Sequence, residues 1–139
     1  MVDKDIVLEK VKNIQNCLRR IHEKTGDDPA SLFDMDVQDI FVLNLQRAVQ
    51  SCIDLAAHVV SDEGLGLPSD LKENFTLLET KGILSSELSA KLQKMVGFRN
   101  IAVHDYTAIN ASVLKSVLAK DLKDIEDFYT LLLKHFRIV

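Results

Sequence analysis

The sequence predicts an all-α fold, an up-and-down four-helix bundle with additional short helices, and two observations carry that expectation. Apolar residues recur in steps of three and four along nearly the whole chain, and no segment of strict alternation is flanked by hairpin turns. Helix breakers are scarce, with five glycines and two prolines in 139 residues. That length, with 47% hydrophobic residues, suits one domain spanning residues 1–139 with room for a real core.

Helix one is expected from about Lys4 to Lys24, with Val7, Val11, Ile14, Leu18 and Ile21 in steps of four and three, the seam of a bundle helix. Thr25-Gly26-Asp27-Asp28-Pro29 breaks it, and residues 30–35 form a short turn. Asp36, with Asp39 three residues on, resembles a capping arrangement for a long second helix reaching about Val60.

Helix two is apolar over a wide arc. Phe41, Leu45, Ala48, Cys52, Leu55 and Val59 form one row, and Val42, Val49, Ile53, Ala56 and Val60 a second. One bundle core needs a single row and a flank, so the arc fits either a helix that also meets a second subunit or the central helix of one chain. Asn44, Arg47, Ser51, Asp54 and His58 make a polar line on the other side, with Asp54 and His58 at i,i+4. This line is either a solvated face or a functional one, in which Asn44 and Arg47 line the pocket that contains Arg99.

Gly64-Leu65-Gly66-Leu67-Pro68 is the clearest loop, after which Ser69 or Asp70 caps a third helix to about Thr80, and Gly82 ends it. Ser85 or Ser86 starts a fourth helix through Leu88, Leu92 and Met95 toward Gly97. From about Asn110 a last long helix carries Leu114, Leu118, Ile125, Tyr129, Leu132 and Phe136.

A formal net charge of −4 and a pI near 5.5 argue against binding long nucleic acid by bulk electrostatics, so any such substrate is held locally. The first residues carry no basic region followed by an apolar run, and no apolar stretch approaches the ~20 residues that span a bilayer. A cytoplasmic protein is expected, with Cys17 and Cys52 as reduced core thiols. Walker loops, dinucleotide glycine motifs, zinc helices and Cys-x-x-Cys pairs are all missing from the sequence.

Chemistry concentrates in Arg99-Asn100-Ile101-Ala102-Val103-His104-Asp105-Tyr106, which places a fixed cation, a titratable imidazole and a phenol within eight residues. Five arginines and four histidines give one Arg-x-x-x-x-His by chance with a probability of about 0.14; requiring one of two tyrosines two residues later lowers it to about 0.002. His22, His58 and His135 sit within helical patterns and read as surface or flank residues. At ~100° per residue, five steps on an unbroken helix set Arg99 and His104 ~140° apart, too far to converge on one ligand. Either the backbone bends between Gly97 and Asn110, or the two side chains cooperate across two subunits.

On these residues the chain resembles the HEPN domain family, and within it the HepT toxins of HEPN/MNT toxin–antitoxin pairs. The resemblance is carried by Arg99, His104 and Tyr106, by the polar Asn100, and by Asn44-Leu45-Gln46-Arg47-Ala48-Val49-Gln50 with Ile53-Asp54 on helix two; it extends along most of the chain. It implies a metal-independent endoribonuclease without a cofactor, working as a homodimer in which the Arg and His motifs of two subunits meet in a cleft. Arg99 and His104 are then the catalytic residues. It also implies that Tyr106 accepts AMP from a cognate MNT-type nucleotidyltransferase antitoxin, which silences the site.

The residue chemistry agrees. Without a metal, RNA is cut by its own 2′-hydroxyl attacking the adjacent phosphorus, which needs proton transfer and neutralisation of a crowded phosphorane. An imidazole with an unperturbed pKa of ~6.5 exchanges protons near neutrality, and a guanidinium offers a planar, charged fork to the phosphate oxygens. Tyr106 has other readings: its ring stacks a base, its hydroxyl orients a phosphate, or it is a half-buried core residue. Two rival functions use the same sequence. One is a non-catalytic helical module that presents nucleotide or substrate to a separate nucleotidyltransferase; the other is a structural dimer with no site.

Overall fold

The computed structural model describes residues 2–138. Its helices, in chain order, are α1 (Lys4–Thr25), α2 (Met35–Asp62), α3 (Glu73–Thr80), α4 (Ser86–His104), α5 (Ala111–Ser116) and α6 (Leu122–His135). A π turn at Val117–Asp121 fuses α5 and α6 into one long run, and 3-10 turns occupy Pro29–Phe33 and Tyr106–Ala108. No strand occurs among the described residues, and the expected all-α bundle is the fold observed.

Asp3 starts α1 by accepting the Asp5 and Ile6 N–H groups at 3.0 and 3.3 Å, and Gly26 ends it in the left-handed region at φ 59°. Between them Val7, Val11, Ile14, Leu18 and Ile21 are buried, and α1 packs along α2. The α2 cap differs from expectation. Asp34, with extended φ and ψ, accepts from the Asp36 and Val37 N–H groups at 2.9 and 3.4 Å. The 3-10 turn delivers the chain into the helix earlier than the sequence suggests, leaving Asp36 in the first turn and Asp39 free of a capping role.

Both apolar rows of α2 are buried within one chain, because α1, α3, α4, α6 and the Pro29–Phe33 turn all contact it. The arc is thus filled by the chain's own helices, and α2 is the central helix. The expected Asp54–His58 pair does not form either: His58 Nε2 lies 3.3 Å from Asp62 Oδ2, and Asp54 turns toward α1.

Asp70 accepts the Glu73 N–H at 2.8 Å while the Ser69 hydroxyl donates to the Glu73 carboxylate at 2.6 Å, which fixes the start of α3. In the final helical run the Leu122 N–H reaches back to the Val117 carbonyl, so one residue too many is fitted into that turn. Within α6 the step between the buried Ile125 and Leu132 falls on Phe128, which is fully buried in edge-to-face contact with Phe75, centroids 5.6 Å apart, while Tyr129 is only partly buried. Cys17 and Cys52 are free thiols whose pKa values burial raises, an effect Arg47 opposes at Cys17. Among the described residues no helix is long and apolar enough to cross a membrane.

Candidate active site

Ser85 caps α4 by accepting the Leu88 N–H at 3.1 Å, and the helix then runs unbroken through Gly97 to His104. A glycine in a helix interior costs about 1 kcal/mol relative to alanine, a small penalty beside the packing of Leu92, Met95 and Val96 that holds the helix on either side. The ladder persists past the motif: the Asp105 N–H still bonds to the Ile101 carbonyl at 2.8 Å. Only then does the chain turn, through Asp105 at φ −151° and ψ 77°, the Tyr106–Ala108 turn, and Asn110, which caps α5 by accepting the Ser112 N–H at 2.7 Å. The bend expected between Gly97 and Asn110 therefore falls wholly after His104. Arg99 and His104 stay on one continuous helix, ~140° apart by helical geometry.

Arg99 is half-buried and held on two sides. One terminal nitrogen donates to Asn100 Oδ1 at 2.9 Å, the other to Gln50 Oε1 on α2 at 2.7 Å. Gln50 is itself oriented, because its amide nitrogen donates to Asp54 Oδ1 at 2.9 Å, and Asp54 Oδ2 lies 3.7 Å from Lys10 Nζ. A carboxylate only accepts, so Asp54 takes the NH2 end of Gln50 and turns the carbonyl end toward Arg99. Both groups bonded to the guanidinium are neutral amides. They fix its direction without cancelling its charge, and its remaining N–H donors stay available to an anion.

His104 is exposed at the end of α4. Two residues on, Tyr106 is 38% exposed, and its hydroxyl donates to Asp39 Oδ1 at 2.5 Å. Partial burial, reinforced by that hydrogen bond and by the negative charge of Asp39, pushes the phenol pKa up to about 12. The other side of Tyr106 faces a groove it shares with Met35, Gln38, Thr107 and Ile109.

Asn44 and Arg47 lie elsewhere in this chain. Asn44 is buried and donates to the Ile40 carbonyl of its own helix at 2.8 Å, and with Arg47 it lines a groove against Asn16, Cys17 and Arg20 of α1. From α2 it is Gln50, not Arg47, that reaches Arg99. The sequence names Gln50 only within the helix-two segment and Asp39 only as part of a cap; their roles at the site are not readable there because their partners lie 49 and 67 positions away, beyond any local spacing rule.

An all-helical bundle that pins an arginine by amide oxygens and presents a histidine and a tyrosine just beyond it defines a class, and comparison with known proteins identifies that class. The family described as ribonuclease HepT-like matches residues 2–132. The mRNA nuclease HepT of Shewanella oneidensis is 40% identical over 124 residues, covering 89% of this chain and 93% of that one. A structure of a tri-AMPylated Shewanella oneidensis HEPN toxin in complex with its MNT antitoxin superposes with a TM-score of 0.87 at 39% identity, covering 92% of this chain and 96% of that one. A toxin–antitoxin structure with AMP-PNP gives a TM-score of 0.86 at 39% identity, covering 92% and 97%. The chain belongs to the HepT-like ribonuclease family.

Proposed function

We propose that this chain is the toxin of a HEPN/MNT pair: a single-domain, metal-independent endoribonuclease that works as a homodimer in the cytoplasm. The supporting observation is the unbroken α4, on which Arg99 keeps its full charge between two neutral amides while His104 faces ~140° away. One chain does not bring the pair onto one phosphate, whereas two chains apposed at this helix do. The Arg99 fork neutralises the phosphorane, with Asn100 steadying it, and His104 takes the proton from the attacking 2′-hydroxyl. Water supplies the proton to the leaving 5′-oxygen, and the resulting hydroxide is neutralised by the protonated His104. The products are a 2′,3′-cyclic phosphate and a 5′-hydroxyl. Asn44 and Arg47 contribute to RNA binding only along the α1 groove or from the apposed subunit.

Neutralisation follows from Tyr106. An MNT-type nucleotidyltransferase adds AMP to its hydroxyl, placing a bulky anion two residues from His104 and in competition with RNA phosphate for Arg99. The name and the AMPylated state of the Shewanella relatives support this reading.

Incubating the pure protein with RNA in EDTA tests the nuclease. Cleavage is expected for the wild-type chain and is lost in Arg99→Ala and His104→Ala with helicity unchanged by circular dichroism. If the purified protein leaves RNA intact under all conditions, the non-catalytic module that presents substrate to the nucleotidyltransferase takes its place.

A further inference from the structure

A hydroxyl that is to be modified has to lose its proton, and the structure already shows where that proton is directed. Tyr106 leaves the end of α4 on the 3-10 turn, and its hydroxyl donates to the carboxylate of Asp39, five residues into α2, at 2.5 Å. Both side chains are exposed, so the oxygen stays within reach of a second protein. Asp39 neither caps its helix nor bonds to Arg99, and it is the only charged group that bears on the Tyr106 hydroxyl among the described residues, although His104 and Asp105 precede it in the chain. A phenol with its pKa pushed up to about 12 is a poor nucleophile at neutral pH unless a base relieves it of the proton as the new bond forms.

We propose that Asp39 is the general base for the modification of Tyr106, so that the acceptor chain rather than the transferase supplies the proton acceptor for its own inactivation. This rests on the reading of Tyr106 as the AMP acceptor. In the step, the Tyr106 oxygen forms a bond to the α-phosphorus of ATP brought by the nucleotidyltransferase. The bond from that phosphorus to the bridging oxygen breaks, and its electron pair leaves with pyrophosphate. The phenolic proton passes to Asp39 Oδ1 and from there to water. The product oxygen no longer donates, so the Tyr106–Asp39 hydrogen bond is lost, and two negative groups face each other where a donor and an acceptor stood.

The test is AMP incorporation into the full chain by its nucleotidyltransferase with ATP and Mg2+, followed by intact mass and located by peptide mapping, from pH 6 to 9. Wild type, Asp39→Asn, Asp39→Glu and Tyr106→Phe are compared after circular dichroism confirms equal helicity. Asp39→Asn is expected to slow incorporation by about 10²–10⁴-fold at neutral pH. The ratio of its rate to wild type should climb about tenfold per pH unit as hydroxide substitutes for the carboxylate; taking the ratio cancels titrations within the transferase. Asp39→Glu should recover most of the rate. A folded Asp39→Asn that is modified at the wild-type rate, or whose ratio does not change with pH, overturns the proposal and assigns the base to the transferase. A Tyr106→Phe chain that takes up AMP as well as wild type removes the acceptor reading itself, and the proposal with it.

Discussion

Arg99 and Gln50, 49 positions apart in the sequence, meet at 2.7 Å, and the amide orientation that permits this is dictated from behind by Asp54. The relation makes Gln50 a positioning residue whose loss leaves the charge of Arg99 in place but undirected. Gln50→Leu is expected to lower kcat for RNA cleavage about tenfold, equivalent to ~1.4 kcal/mol, with KM nearly unchanged. In an Arg99→Lys background, which keeps a charge but not the fork that Gln50 holds, the same substitution should cost little further. Steady-state kinetics on the four proteins of this cycle measure the coupling, and additive losses would show that Gln50 acts independently of Arg99.

The geometry of α4 predicts complementation between inactive chains. If each site takes Arg99 from one subunit and His104 from the other, an Arg99→Ala chain paired with a His104→Ala chain rebuilds one complete site. Co-refolding the two at equal amounts should restore about a quarter of wild-type activity, since half of the dimers are mixed and each has one site of two. Sites contained within single chains would leave the mixture as inactive as its components.

Tyr106 should titrate late. With Tyr129 replaced by phenylalanine, near-ultraviolet phenolate absorbance reports Tyr106 alone, and its midpoint is expected at about 12. Asp39→Asn should lower it only part of the way to the ordinary value of about 10, because burial is the larger cause and remains. The sign for stability follows. A phenol favoured in its protonated form by the fold contributes fully below pH 10 and loses that contribution as pH rises toward 12. Denaturant midpoints of wild type and Tyr106→Phe should therefore converge over that window.

Core energetics distinguish adjacent aromatics. Phe128→Ala removes a fully buried ring in contact with Phe75 and is expected to cost about 3–5 kcal/mol in urea unfolding. Tyr129→Ala, at a partly buried position, should cost less than half of that. Equal losses would mean that the face of the final helix is not the one described.

Much of the fold was legible because helix periodicity is written locally. Val7 to Ile21 declare their seam without reference to any other segment, and three uncommon residue types in eight positions mark the site. What was not legible depends on contacts made after folding. Asp34 and Asp36 are both plausible caps in sequence, and only the 3-10 turn before them selects Asp34. The wide arc of α2 is ambiguous until one sees that α1, α3, α4 and α6 fill it. Phe128 and Tyr129 both fit the spacing between Ile125 and Leu132, and only the ring of Phe75 against that face selects Phe128. Gln50 and Asp39 carry no local signal, because the groups they serve arrive from α4 and the turn after it.

The π turn at Val117–Asp121 has a mechanical consequence for the site. It joins two stretches of helix that share the core but differ in their other neighbours: α6 buries Ile125, Phe128 and Leu132, while α5 buries Leu114 and also meets the Pro29–Phe33 turn, where Lys115 Nζ sits 3.9 Å from the Phe33 ring centre. The segment that follows Tyr106 is thus tied both to the bundle interior, through the fully buried Leu114, and to the entrance of α2. A partner that grips the Tyr106 turn therefore pulls on a helix whose inner side is Leu114 in the core and whose outer side is the Lys115–Phe33 contact, so its hold is felt at the bundle interior and at the entrance of α2 together.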